Sequence, residues 1–166
     1  MDVDGVLTDG RLLYGDSGEA LRAFHVHDGL AIEWFQRLGG IAVILTGKSG
    51  RAIAARAAEL GIRHVVQGSR NKRHDLLALL EKIGVGAEET AVIGDDLPDL
   101  PAMQACGYPI AVANAAPEVR AAARYVTRRA GGDGAVREAI EHLLAAAGRW
   151  DEVVAHYAAA AGAETR

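Results

Sequence analysis

The sequence predicts an α/β layer fold built on a mainly parallel sheet, and two observations carry that reading. Short apolar runs of strand length alternate along the chain with longer amphipathic ones. Four segments bearing acids, a hydroxyl and a lysine fall where parallel strands should end, which is where open α/β sheets hold their ligands.

Taken in order, Arg11 to Val26 reads as a β-hairpin: Leu12, Leu13 and Tyr14, the turn Gly15-Asp16-Ser17-Gly18, then Ala20 to Val26. Ile41 to Leu45 is a buried strand that stops at Thr46-Gly47. Ser49 can cap a helix from Arg51 to Leu60, ended by Gly61. His64 to Gln67 is a second, weaker strand. Asn71 to Ile83 is helical, with Leu76, Leu77, Leu79, Leu80 and Ile83 as its inward stripe. Thr90 to Ile93 is a third strand leading into the acidic turn Gly94-Asp95-Asp96. Helices follow over Asp99 to Cys106, Pro117 to Ala123 and Gly134 to Ala147, with a strand at Ile110 to Ala113. Trp150 to Ala161 is at best an amphipathic helix, and residues 162–166 are expected to fray. No linker or repeat divides the chain. It reads as one domain over residues 1–166, with the hairpin at about 11–26 and the C-terminal helix and tail at about 148–166.

With 166 residues, 50% hydrophobic and 24% charged, the chain can bury one core. Alanine is abundant while Phe, Tyr and Trp number only 2, 4 and 2, which favours closely packed helices. A net charge of −4 lacks the electrostatic footprint of a nucleic-acid binder. The lone cysteine, Cys106, excludes an internal disulfide and a thiolate-built metal site, and suits a reducing compartment. No apolar run approaches the roughly 18 residues of a membrane span, and no export signal is visible at the start. The expectation is a cytoplasmic protein with neither membrane nor nucleic-acid partner.

The chemistry-bearing segments are Asp2-Val3-Asp4-Gly5-Val6-Leu7-Thr8-Asp9, Leu45-Thr46-Gly47, Asn71-Lys72 and Gly94-Asp95-Asp96-Leu97-Pro98-Asp99. Two carboxylates two residues apart on an extended chain point the same way, so Asp2 and Asp4 can face one pocket. Gly5 lets the backbone turn and come close to a ligand. Beside a hard cation such a pair can divide the work, one carboxylate attacking and the other moving protons. An isolated D-x-D-G is more often a solvated acidic turn; the longer string and its three downstream companions reverse that balance.

These four segments, in this order, resemble the motifs of the haloacid dehalogenase-like phosphatases. DVDGVLTDG, the run Phe24-His25-Val26-His27-Asp28-Gly29, Arg56 after Thr46-Gly47, Gln67-Gly68 before Asn71-Lys72, and Tyr125-Val126-Thr127 followed by Gly131-Gly132-Asp133-Gly134-Ala135-Val136-Arg137-Glu138 narrow the resemblance to the 3-deoxy-D-manno-octulosonate 8-phosphate (KDO 8-phosphate) phosphatases. It covers about Asp2 to Gly148 and implies a Rossmann-like, capless fold with a β-hairpin after the first motif. It implies a Mg²⁺-dependent hydrolase releasing phosphate from KDO 8-phosphate in the supply of lipopolysaccharide precursors.

In the mechanism that the resemblance implies, Asp2 attacks phosphorus in line and forms an aspartyl-phosphate. Asp4 protonates the departing sugar oxygen and then activates the hydrolytic water. Mg²⁺ would be held by Asp2, the backbone carbonyl of Asp4 and Asp95. Thr46, Gly47 and Lys72 would bind the phosphoryl group. Asp96 and Asp99 would stand behind them, one touching the metal through water and the other orienting Lys72; for Asp99 a helix-capping role stands as an equal alternative.

No insertion is long enough for a cap domain, so the site should be open. The resemblance implies a homotetramer in which hairpins pack together, with Leu12, Tyr14, Leu21 and Phe24 at the interface. Candidate readers of the sugar acid are Lys48, Arg56 and Arg137. Lys48 and His27 stand where relatives commonly carry Arg, which keeps a sialic-acid-type nonulosonate 9-phosphate as an alternative substrate. A catalytically silent binding subunit is the third reading. The glycines around Asp133 resemble a flexible loop, with helix capping as the alternative. Finally, the fold calls for a hydrophobic strand of five or six residues before the nucleophile, where only Met1 stands. Either the sequence starts late, the favoured reading, or the sheet carries a hole.

Overall fold

The computed structural model describes every residue except 17, 19 and 164–166, so Ser17 of the expected turn and the last residues of the expected frayed tail lie outside the described residues. The hairpin is short: β1 (Leu13–Tyr14) pairs antiparallel with β2 (Ala20–Leu21). Before the expected hairpin ends at Val26 the chain becomes helical, and α1 (Val26–Arg37) is an element that strand periodicity passes over. Its N-cap is His25, whose Nδ1 accepts the His27 amide at 3.2 Å.

Strands and helices then alternate as expected. β3 (Val43–Leu45), α2 (Arg51–Glu59), β4 (His64–Val66), α3 (Lys72–Ile83) and β5 (Ala91–Gly94) follow one another. After them come α4 (Leu100–Met103), β6 (Tyr108–Ala111), α5 (Pro117–Ala122), β7 (Tyr125–Val126), α6 (Ala135–Ala146) and α7 (Trp150–Ala163). β3 pairs parallel with β4, and β5, β6 and β7 form a parallel three-stranded sheet.

Local chemistry corrects several details. Gly50, not Ser49, is the N-cap of α2, and it supplies no side-chain cap. The inward stripe of α3 is narrower than expected: Leu76 and Leu80 are buried together with Lys72 one turn earlier, whereas Leu77 is exposed. The helix expected over 99–106 is a 3₁₀ turn (Leu97–Asp99) followed by the single turn of α4. Trp150–Ala163 is a full helix docked on α1, where Trp34 Nε1 donates to the Tyr157 hydroxyl at 3.0 Å. His142 stacks on Tyr125 at 3.9 Å between ring centres and meets the Tyr108 hydroxyl at 2.8 Å, a packing role.

The two parallel sheets are joined by the first two residues. The Met1 amino group donates to Val43 O at 2.9 Å, Leu45 N donates to Met1 O at 3.0 Å, and Asp2 N donates to Ile93 O at 3.1 Å. Met1–Asp2 therefore occupy the lane between β3 and β5. Behind them the two strand edges flank an apolar cavity of about 300 Å³, lined among others by Phe35, Val43, Leu76, Leu80, Val92 and Leu143. Burial of the Met1 amino group lowers its pKa to about 6.

Candidate active site

The site is the carboxyl edge of the sheet, beginning with the loop that follows Asp2. The Val3 carbonyl accepts the amides of Val6, Leu7 and Thr8 at 3.2, 2.9 and 3.0 Å, winding the chain into a tight turn. Thr8 is fully buried; its Oγ1 accepts the amides of Gly5 (3.4 Å) and Gly10 (3.2 Å) and donates to Val3 O (3.4 Å). Gly5 takes φ +96°, and any Cβ there would overlap the Asp95 carboxylate. The glycine expected to approach a ligand thus approaches the acid of the fourth motif.

Carboxylate oxygens of Asp2, Asp95 and Asp99 lie within 4.8 Å of one another. Lys72, at the start of α3, reaches into them with Nζ 2.5 Å from Asp99 Oδ1 and 3.0 Å from Asp2 Oδ1. Asn71 caps that helix by accepting the His74 amide at 3.1 Å, which sets Lys72 on its inner face. One lysine does not balance three acids. Burial first, and then Asp99 and Asp2, push the Asp95 carboxyl up to about 7. Burial, then Asp99, raise Asp2 as well, against the pull of Lys72. Among the described residues, Asp95 Oδ1 is buried with no hydrogen-bond donor, and Asp2 Oδ1 has only the Lys72 ammonium. Two inward-facing oxygens short of positive charge, on hard carboxylate donors, fit a divalent cation such as Mg²⁺.

Asp99 Oδ1 accepts the Lys72 ammonium, and its Oδ2 accepts the amides of Asp95 (3.0 Å) and Asp96 (3.3 Å), the latter completing a capping box on the 3₁₀ turn; it makes no side-chain cap to α4. Asp96 is exposed and accepts the amide of Leu97 at 2.8 Å, so its carboxylate serves its own turn. The Asp4 carboxylate lies outside the three-acid cluster and is gripped by Arg22, Nε to Oδ1 at 2.7 Å and NH2 to Oδ2 at 3.1 Å. A share in a cation would fall to its main-chain oxygen. Thr46, almost fully buried at the end of β3, accepts the Lys48 amide at 3.3 Å, while Gly47 and Lys48 are exposed.

The other candidate readers make contacts within the chain. Arg56 donates to His25 O at 3.3 Å, pairs with Glu59 at 3.0 Å and covers the Phe24 ring, tying α2 to the start of α1. Arg137 pairs with Glu141 at 2.5 Å and lies over Trp150. The Gly131–Gly134 segment is packed on the first motif: Gly132 N donates to Val6 O at 3.0 Å and Gly131 N to Asn114 Oδ1 at 2.9 Å. A Cβ on Gly131 would fall on the Gly5 carbonyl, so close backbone approach is the reason for glycine there.

Sequence reasoning misses Arg22, Asp28 and Glu138. Asp28, buried in α1, accepts the Arg137 amide at 2.7 Å and caps α6 from another element. Glu138 collects the amides of Arg128 and Arg129 and the Tyr125 hydroxyl, all at about 3 Å. Against the opposing effect of burial, those donors hold its carboxyl down to about 2. Asp28 and Glu138 stand in segments that carry the resemblance but were given no role there; for Arg22 only its inward turn on an exposed hairpin is readable, from strand alternation.

Residues 36–140 match the model of the haloacid dehalogenase-like hydrolases. The chain is 45% identical over 152 residues to the 3-deoxy-D-manno-octulosonate 8-phosphate phosphatase of Escherichia coli K12, covering 92% of this chain and 81% of the relative. To the enzyme of that name from Haemophilus influenzae it is 43% identical over 148 residues, covering 89% and 82%. Among solved structures, the 3-deoxy-D-manno-octulosonate 8-phosphate phosphatase from Moraxella catarrhalis, in complex with magnesium ion, phosphate ion and KDO, superposes with a TM-score of 0.92 at 42% identity, covering 95% of this chain and 90% of that one.

Proposed function

The chain belongs to the haloacid dehalogenase-like hydrolases, among the 3-deoxy-D-manno-octulosonate 8-phosphate phosphatases, and on that premise we propose that it hydrolyses KDO 8-phosphate to KDO and inorganic phosphate. The observation that carries this reading is the placement of Asp2, Asp95 and Asp99 around Lys72 at the carboxyl edge of the sheet.

Asp2 acts as the nucleophile. Its position beside the Lys72 ammonium, 3.0 Å away, supports that role because the incoming phosphate dianion is met by positive charge rather than by carboxylates alone. Asp2, the main-chain oxygen of Asp4 and Asp95 would hold Mg²⁺, which when bound would neutralise phosphoryl charge. The leaving sugar oxygen is an alkoxide and needs a proton; Asp4, two residues along, delivers it and then takes one from the water that attacks the aspartyl-phosphate. Lys72 and Thr46, with Gly47, orient the phosphoryl oxygens. Asp99 keeps Lys72 in place and braces the turn that carries Asp95.

The protein is a homotetramer in which hairpins meet. Tyr14 and Leu21 project from the hairpin 67% and 60% exposed, apolar surface that association would cover, while Phe24 is half-buried against its own core. Among the described residues no helix is long and apolar enough to cross a membrane.

The test is steady-state phosphate release from KDO 8-phosphate and from a sialic-acid-type 9-phosphate, with Mg²⁺ and with EDTA, beside Asp2→Asn. Mg²⁺-dependent release from the eight-carbon ester, lost in Asp2→Asn, is the expected result. Preference for the nine-carbon ester would move the substrate to the alternative while keeping the chemistry. Silence on both esters would overturn the reading.

A further inference from the structure

The hairpin is exposed almost throughout, with Leu13, Tyr14 and Leu21 all at least 60% accessible, yet one of its charged side chains is 3% exposed. That side chain is Arg22, one residue past β2, and it ends on both oxygens of Asp4 at 2.7 and 3.1 Å. A planar guanidinium meeting a carboxylate through two parallel bonds fixes the plane of the acid as well as its distance. The Asp4 side chain has two free torsions of its own, and within its loop nothing else is bonded to it. Across the site, Arg22 lies against Gly50, where a Cβ would come within 3.2 Å of its NH1. The guanidinium is thus lodged between the first motif and the start of α2. The fork takes one lone pair from each Asp4 oxygen and leaves the others for the leaving group and the water.

We infer that Arg22 is a positioning residue: from the hairpin it holds the Asp4 carboxylate in the orientation needed to pass a proton to the leaving oxygen. The inference rests on the role given to Asp4 above. It makes the hairpin part of each active site within a single subunit, whatever the hairpin does between subunits. A Lys at this position would keep the charge but lose the second bond and the fixed plane.

The experiment compares kcat/KM for two kinds of ester in wild type, Arg22→Ala, Arg22→Lys and Asp4→Asn. KDO 8-phosphate has an alkoxide leaving group that needs a proton. 4-Nitrophenyl phosphate leaves as a stable anion and needs none, and its kcat/KM reports the same first step. Arg22→Ala is expected to lower kcat/KM for the alkyl ester about 100-fold, within the usual range for general acid catalysis, while changing the aryl ester less than about fivefold. Asp4→Asn should show the same asymmetry, and Arg22→Lys should recover part of the alkyl rate. Equal losses on both esters, or none on either, would overturn the inference. If Arg22→Ala does not fold, the same asymmetry in Arg22→Lys decides it. Should wild type act on other primary alkyl phosphates but not on KDO 8-phosphate, the substrate reading fails, and the alkyl-to-aryl comparison still decides the role of Arg22.

Discussion

Lys72 and Asp99 form a buried ion pair, Nζ 2.5 Å from Oδ1, with side chains 6% and 4% exposed. The second oxygen of Asp99 accepts the Asp95 and Asp96 amides, so one carboxylate locks both Lys72 and the acidic turn. Replacing Asp99 by Ala leaves a buried ammonium with one partner in place of two. It should cost about 3–5 kcal/mol in stability, read from urea unfolding, together with most of the activity. A loss below about 1 kcal/mol would show that Asp2 alone suffices for Lys72.

Metal affinity should fall in acid. Without metal the Asp95 carboxyl titrates at about 7, well above its ordinary value of 3.8, so below pH 7 a cation must displace a proton. Mg²⁺ affinity measured by calorimetry should therefore weaken by about tenfold per pH unit between 7 and 5. The same shift makes Asp95 destabilising in the metal-free protein as pH rises from 4 to 7, because the native state binds the extra proton. A Mg²⁺ affinity flat across pH 5–7 would contradict this picture.

Glu138 should behave oppositely. Its folded value of about 2 lies below the ordinary 4.5, so its contribution is present above pH 4.5 and disappears as pH falls through 2. Glu138→Gln keeps the shape but loses the charge that attracts the Arg128 and Arg129 amides. A loss of about 2 kcal/mol is expected, and with it looser packing of the 127–134 segment on the first motif, visible as faster amide exchange there.

Gly131→Ala should be far more damaging than Gly15→Ala. The first places a methyl group on the Gly5 carbonyl, and backbone on both sides leaves nothing flexible to yield; the second meets open space. About 3 kcal/mol or more is expected for Gly131→Ala, against less than about 0.5 kcal/mol at Gly15, with the thermal midpoint as the measurement.

What could be read from the sequence was whatever depends on local order. The alternation of β3, α2, β4, α3 and β5 was legible because each apolar run has the period of one element; Thr46 and Asp95 were legible because each follows a strand run, Lys72 because it opens a helix, and Asp2 because of the string it begins. Helix α1 was not: His27, Asp28 and Gly29 open it with poor helix formers, and its stability comes from packing against α6 and, through Trp34, against Tyr157 and His156 of α7. The stripe of α3 was over-read because Leu77 has helical periodicity but no facing element.

Taken alone, then, the sequence determined the order of the elements from β3 to β5, the four chemical segments and the family, all of which are properties of residues close together in the chain. Only the tertiary structure decided that Arg22 grips Asp4, that Asp99 holds Lys72 rather than capping α4, that Gly131 is required by the Gly5 carbonyl, and that Arg56 ties down His25. Those partners are 18, 27, 126 and 31 residues apart. Pairings at such separations are chosen by which surfaces the packed core brings together, and no local period encodes them.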